Sequence, residues 1–255
     1  MPKILDRFLP GIFFVGLLVV WQVACDLFQV QAFLLPTPLD IVEKIVEVRD
    51  RMVLHTLATL REIVLGFVAA TAGGIFLASI TAHSRTLSRT VFPMLVMSQT
   101  IPTIAIAPIL VIWFGPGEAA RLIVVFMIAF FPIVVNTTAG LLRVNEELIE
   151  LVRGLNASRW KIFVKIRMPN ALPHVFTGMR ISIALSVIGA VVGEFVAATE
   201  GLGYLIFSAN TNLDTKLVFA AVVLLAATGI VLFQIVRLAQ RILVPWAQDS
   251  RVTGA

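Results

Sequence analysis

Apolar residues fall in six long blocks, at roughly 8–28, 57–80, 91–114, 121–142, 175–198 and 217–238, with charges and prolines gathered between them. A helix needs roughly 20 largely apolar residues to cross the hydrocarbon core of a bilayer. The pattern therefore predicts an all-α, polytopic membrane protein of about six transmembrane helices, organised as one domain over 1–255. Between the first two blocks Pro36-Thr37-Pro38 stops the chain. Leu39 to Met52 then sets Ile41, Ile45 and Val48 at helical spacing, with Asp40, Glu43, Lys44, Glu47 and Asp50 on the remaining surface. This predicts an amphipathic helix lying along the outer face of the membrane. Pro93, Pro102 and Pro108 in the third block and Pro132 in the fourth predict kinked or broken spans, whose freed backbone groups must face protein or a water-filled cavity.

Composition agrees with lipid as the solvent. Hydrophobic residues make up 59% of the 255 and charged residues 14%, and the mean hydropathy is +0.98, outside the range of an ordinary soluble domain. The net charge of +5 does not imply nucleic acid, because the basic residues cluster at the ends of apolar blocks and report orientation. With an even number of spans, placing both termini in the cytoplasm puts fourteen Lys and Arg inside and six (Lys44, Arg49, Arg51, Arg61, Arg121 and Lys216) outside. Lys3 and Arg7 precede the first block as in a signal peptide, but the block exceeds an ordinary h-region and ends at Gln22 to Asp26 without a small-residue cleavage site, which predicts an uncleaved first span.

Several motifs that would carry chemistry are missing or misplaced. No G-x-x-x-x-G-K-[ST] occurs, so ATP-driven work requires a partner. Gly115 to Ala120 imitates a dinucleotide fingerprint but follows a Pro-containing span. Asn136-Thr137-Thr138 fits a glycosylation acceptor but lies inside an apolar block, where it reads as a polar patch. Cys25 is the single cysteine, and His55, His83 and His174 are scattered without partners at ligand spacing, so no metal site or catalytic group is expected and the histidines read as solvated or capping.

The charged stretch from Leu141 to Pro173 stands out against this background. Leu148, Leu151, Val152 and Leu155 recur at helical spacing, while Glu146, Glu147, Glu150 and Arg153 can face water. Asn156 suits the left-handed end of that short helix, Ser158 suits the cap of a second helix from Arg159 to Ile166, and Pro169 is expected to stop it. Two short helices at a bend, too polar for lipid and too small to fold alone, predict a knob presented to a cytoplasmic partner. A solvated loop between spans is the alternative at this point.

The run Glu150-Leu151-Val152-Arg153-Gly154-Leu155-Asn156, then nine residues, then Ile166-Arg167-Met168-Pro169 resembles the EAA loop of bacterial ABC importer permeases. That signature is E-A-A, three residues, G, nine residues, I-x-L-P. Here Leu151 and Val152 replace the alanines, Asn156 the glycine and Met168 the leucine. The resemblance extends to Ser98-Gln99-Thr100-Ile101-Pro102, Trp113-Phe114-Gly115, Phe131-Pro132 to Asn136-Thr137, and Gly193-Glu194-Phe195 to Tyr204. Together these are similar to the nitrate, sulfonate and taurine permease group, which includes riboflavin and thiamine-precursor pyrimidine permeases. The resemblance implies the type I ABC importer permease fold in the bacterial inner membrane. It also implies a homodimer with a second permease copy, two cytoplasmic ATPase subunits and a soluble substrate-binding protein. No cofactor is implied in this chain, and ATP and magnesium are held by the ATPase. Carried over by position, Glu150, Arg153, Gly154, Asn156, Ala157, Arg159 and Pro169 would couple the chain to that ATPase.

Polar groups inside spans are costly in lipid and should point inward. Ser98, Gln99 and Thr100 in the third block, Asn136 and Thr137 in the fourth, and Glu194, the lone acid between Val187 and Ala198, are therefore the candidate translocation residues. The expected function is a transport subunit, not an enzyme, that moves a small solute inward. The stretch from Ser98 to Gly115 is more similar to the pyrimidine and riboflavin permeases than to the sulfonate ones. A sulfonate, taurine, nitrate or aromatic carboxylate importer is the alternative within the family. Outside it stand an ion-coupled secondary transporter using Glu194, disfavoured by the EAA-like spacing, and a membrane enzyme acting on lipid, for which Glu194, Gln99 and the histidines would have to converge although nothing in their spacing demands it.

Overall fold

The computed structural model describes residues 2–83, 90, 93–94, 97 and 101–247. Among them the regular elements are all helical: α1 (Pro2–Leu27), α2 (Pro38–Glu47), α3 (Arg49–His83), α4 (Thr103–Phe114), α5 (Glu118–Leu142), α6 (Glu146–Gly154), α7 (Arg159–Ile162), a π-turn (Phe163–Arg167), α8 (Met168–Ala197), α9 (Leu202–Thr211), α10 (Thr215–Leu243) and a closing 3-10 turn (Pro245–Ala247). Four helical stretches are long and apolar enough to cross a membrane: Arg49–Ala82, Glu118–Leu142, Arg159–Ala197 and Thr215–Leu243. The first and third apolar blocks appear as the shorter apolar helices Gly11–Leu27 and Thr103–Phe114. In the third block Pro102 stands at the N-cap, so the described helix begins only at Thr103. Pro108 and Pro132 are accommodated inside α4 and α5, so these prolines do not end their helices.

The chain divides into two compact units. One comprises residues 1–58 and 199–226. Its core joins Ile41 of α2, Met52 at the start of α3, Leu202, Leu205 and Ala209 of α9 and Leu217, Ala220 and Ala221 of α10, with Trp21 of α1 packed against it. Helix α2 begins with a capping box, in which the Thr37 hydroxyl accepts from the Asp40 amide at 3.1 Å and Asp40 accepts from the Thr37 amide at 3.1 Å. Asp40 also pairs with Lys216, and Lys44 with Asp214 at 3.3 Å, tying α2 to the start of α10. The expected amphipathic helix is shorter than its pattern, since it ends at Glu47 and Val48 breaks it. The break lets both the Ile41/Ile45/Val48 stripe and Met52 reach one core. Helix α9 was not anticipated, although Leu202, Leu205 and Ala209 carry helical spacing and are buried. Gly201 precedes it with φ +115, a conformation that an L side chain rarely adopts. His55 is buried there rather than solvated, its Nδ1 accepting the Gly201 amide at 3.0 Å beside Tyr204.

The other unit comprises 59–198 and 227–255. Its core joins Ile63 and Phe67 of α3, Val125 of α5, Phe176, Ile183 and Ala190 of α8, and Leu232 and Val236 of α10. Helices α5 and α8 lie closest. A Cβ on Gly178 would stand 2.9 Å from the Pro132 carbonyl oxygen, and one on Gly189 2.9 Å from the Val125 Cα, so the absent side chains set the separation of the helices. The Ser182 hydroxyl donates to the Ala129 carbonyl across the same seam at 2.5 Å.

Candidate functional site

The polar segment between α5 and α8 folds as a helix, a tight turn and a second helix. Asn145 caps α6 by accepting the Glu147 amide at 2.9 Å. The C-terminus closes as a Schellman turn, in which the Ala157 amide donates to Val152 and the Asn156 amide to Arg153, with Asn156 left-handed at φ 57. Ser158 then caps α7, accepting from the Lys161 amide at 3.3 Å. The expected stop at Pro169 is not observed. The chain winds through the π-turn, whose last bond runs from the Met168 amide to the Phe163 carbonyl, and continues directly into α8 with Pro169 in its first turn. A wider turn immediately before a proline removes the clash of its ring with a carbonyl one turn back, so the helix survives.

The inner face of this segment is Val144, Ile149 and Ile162, with Val152, Ala157 and Ile166 against them. Of the apolar stripe read from the sequence, Val152 therefore turns inward, whereas Leu151, Leu155 and the neighbouring Trp160 are 64%, 76% and 70% exposed. Trp160 stacks on Phe163 with ring centroids 5.9 Å apart. Glu150, Arg153 and Arg159 are exposed around this apolar surface, Gly154 and Asn156 lie at the bend, and Pro169 is half-buried at the root of α8. The candidate coupling residues are thus brought together on one compact segment.

The candidate translocation residues are not brought together in this way. Ser98, Gln99 and Thr100 lie outside the described residues. Asn136 donates to the Pro132 carbonyl of its own helix at 2.8 Å, and Thr137 is buried. Glu194 is buried, 2% exposed, and accepts from the Thr59 hydroxyl at 2.6 Å. It sits near Arg121, since a Cβ on the adjacent Gly193 would meet the Arg121 Cα at 3.2 Å. At 1.5 Å per residue Asn136 is then roughly 22 Å further along α5.

Sequence reading missed the ion pair in this cluster. Arg121 Nε donates to Glu62 at 2.6 Å, and its NH1 donates to the carbonyl of Ala197, the last residue of α8, at 3.1 Å. A guanidinium on a helix C-terminus is favoured by the exposed carbonyls there. Glu62 beside Ile63 and Val64 was the signal for it. Arg180, counted from the sequence as a cytoplasmic charge, lies within α8 with Nε buried. Among the described residues no group of His, Cys, Asp and Glu could hold a metal ion.

Long apolar helices around the close-packed seam of α5 and α8, interrupted by a polar helix–turn–helix with an exposed apolar tip, fit a polytopic helical membrane protein. The chain belongs to the binding-protein-dependent transport system inner membrane component family, whose profile matches residues 70–249. It is 38% identical to a formylaminopyrimidine transport permease of Halalkalibacterium halodurans over 94% of this chain and 96% of that one. It is 39% identical to a riboflavin transport system permease of Chloroflexus aurantiacus over 90% and 87%. A putative aliphatic sulfonates transport permease of Bacillus subtilis is 31% identical over 90% and 84%. The fold is similar to that of a methionine ABC transporter solved in inward-facing conformations, with a TM-score of 0.53 and 24% identity over 72% of this chain and 92% of that one. The chain is a permease subunit of an ABC importer.

Proposed function

We propose that the chain works as a homodimer with two cytoplasmic ATPase subunits and a soluble binding protein, and that the projection from Glu146 to Pro169 couples ATP-driven closure to the movement of its helices. The observation that carries this reading is the exposure of Leu151, Leu155 and Trp160 on a rigid, capped segment that is otherwise polar. An apolar tip ringed by Glu150, Arg153 and Arg159 fits a partner that covers it, since a lone loop gains nothing from displaying these side chains. ATP and magnesium are held by the ATPase, and this chain contributes no cofactor. A short rigid element suits the task because it passes a rigid-body motion to the helices without melting. Both termini lie in the cytoplasm, and 1–255 act as a single permease domain. Asn136, Thr137, Glu194 and the Ser98-Gln99-Thr100 stretch line or gate the path.

The solute is a pyrimidine, riboflavin or another aromatic or heterocyclic compound. This is supported by 38% and 39% identity to the formylaminopyrimidine and riboflavin permeases, against 31% for the sulfonate, 30% for a taurine and 29% for a nitrate permease. The test is co-expression with a candidate ATPase subunit of an ABC importer, with ATP hydrolysis assayed for wild type and Glu150→Lys. A stable hydrolysing complex that is lost on charge reversal is expected. A well-folded wild type that retains no ATPase would overturn the coupling reading.

A further inference from the structure

We infer that the root of the same projection holds a phosphate-binding site made by Arg153, Arg159 and Arg167. A groove of about 500 Å³ lies between the ends of α3 and α5 and the two short helices, and the three arginines line it together with Glu150 as its single acid. Among the described residues none of these arginines has a carboxylate within ion-pair distance, so the groove carries an excess of two positive charges.

Arg167 is already held in place, because its NH1 donates to the Ala82 carbonyl at 3.3 Å. Its Nε is buried and has no acceptor among the described residues. A buried guanidinium donor without an acceptor is costly, and an oxyanion in the groove would supply one. Leu141, Leu142 and Phe163 form an apolar side of the groove. Three guanidinium forks suit a ligand with several oxygens spread around one centre, which is the geometry of phosphate rather than of a single carboxylate. The phosphate has two available sources on the cytoplasmic side assigned above: an anionic phospholipid headgroup, or a free phosphate in solution.

The test uses the full chain purified without an ATPase, so that failure of the coupling reading leaves the result unaffected. In one arm, thermal unfolding is followed with inorganic phosphate against chloride at matched ionic strength. In the other, the chain is delipidated from nanodiscs of phosphatidylcholine with or without phosphatidylglycerol, and retained lipid is counted by native mass spectrometry. Wild type is expected to be stabilised by phosphate, or to retain phosphatidylglycerol over phosphatidylcholine. The double variant Arg153→Gln/Arg159→Gln should weaken that response on the order of tenfold, as loss of two arginines at an anionic ligand implies. Both side chains are exposed, so the variant should elute as wild type does. Arg237→Gln, on the exposed side of α10, should leave the response intact. A response in the phosphate arm assigns a soluble ligand, and one confined to the lipid arm assigns the headgroup. Absence of response in both arms, or an undiminished response in the double variant, overturns the site.

Discussion

Arg121 and Glu62 bury opposite charges where α3, α5 and α8 meet, with the Ala197 carbonyl as a further acceptor. Arg121→Gln is expected to destabilise the chain by about 3–5 kcal/mol through loss of this buried pair, read as a lower melting temperature in detergent, whereas the exposed Arg61–Glu118 pair should be worth about 0–1 kcal/mol. Glu194→Gln preserves an acceptor for the Thr59 hydroxyl, so complex assembly should survive while transport into proteoliposomes falls. Unchanged transport would reduce Glu194 to a packing residue. Its isolation in an apolar block was visible in the sequence, but its partner, Thr59, is 135 residues away and no local pattern could have named it.

Helix by helix, the features fixed by local chemistry were legible and those fixed by packing were not. Asn156 in the left-handed conformation and Ser158 as a cap follow from what those side chains do to their own backbone. The inward face of α6 does not follow, because Leu148, Ile149, Leu151, Val152 and Leu155 form two overlapping stripes and only the neighbours Val144 and Ile162 decide between them. Pro169 misled because it stands in the first turn of α8 behind a π-turn, and the helix runs on through it. The contact between α5 and α8 gives a direct test. Gly178→Ala would push a methyl group against the Pro132 carbonyl and is expected to cost about 1–3 kcal/mol, measured by thermal unfolding. In the other unit, the hydrogen bond from Lys216 holds the Asp40 carboxyl below its ordinary 3.8 against the opposing effect of burial, with the hydrogen bonds from Thr37 adding lesser contributions in the same downward direction. A carboxylate lowered in the folded state stabilises it fully above its unfolded value and loses that contribution as pH falls through the lower folded value. Melting temperature should therefore drop more steeply below pH 4 in wild type than in Asp40→Asn, roughly the range in which an ordinary aspartate titrates.

For the molecule as a whole, the distribution of charge predicts a side for each connection. A cysteine at Glu43 should be labelled by a membrane-impermeant maleimide from outside intact cells, and one at Arg153 only after the inner membrane is opened. The background should be silent, because Cys25 is 3% exposed. Reversed labelling would invert the topology. The continuity of α7, the π-turn and α8 bears on how work passes through the molecule. Arg159 to Ala197 form one uninterrupted helical rod of 39 residues, roughly 58 Å long at 1.5 Å per residue. On the proposed coupling, the projection would act as the short arm of a crank rather than as a knob on a flexible tether. A sideways shove on Trp160 would then be delivered as tilt at the far end, where Glu194 is fastened to Thr59, with the wider turn before Pro169 as the joint at which the shaft can yield.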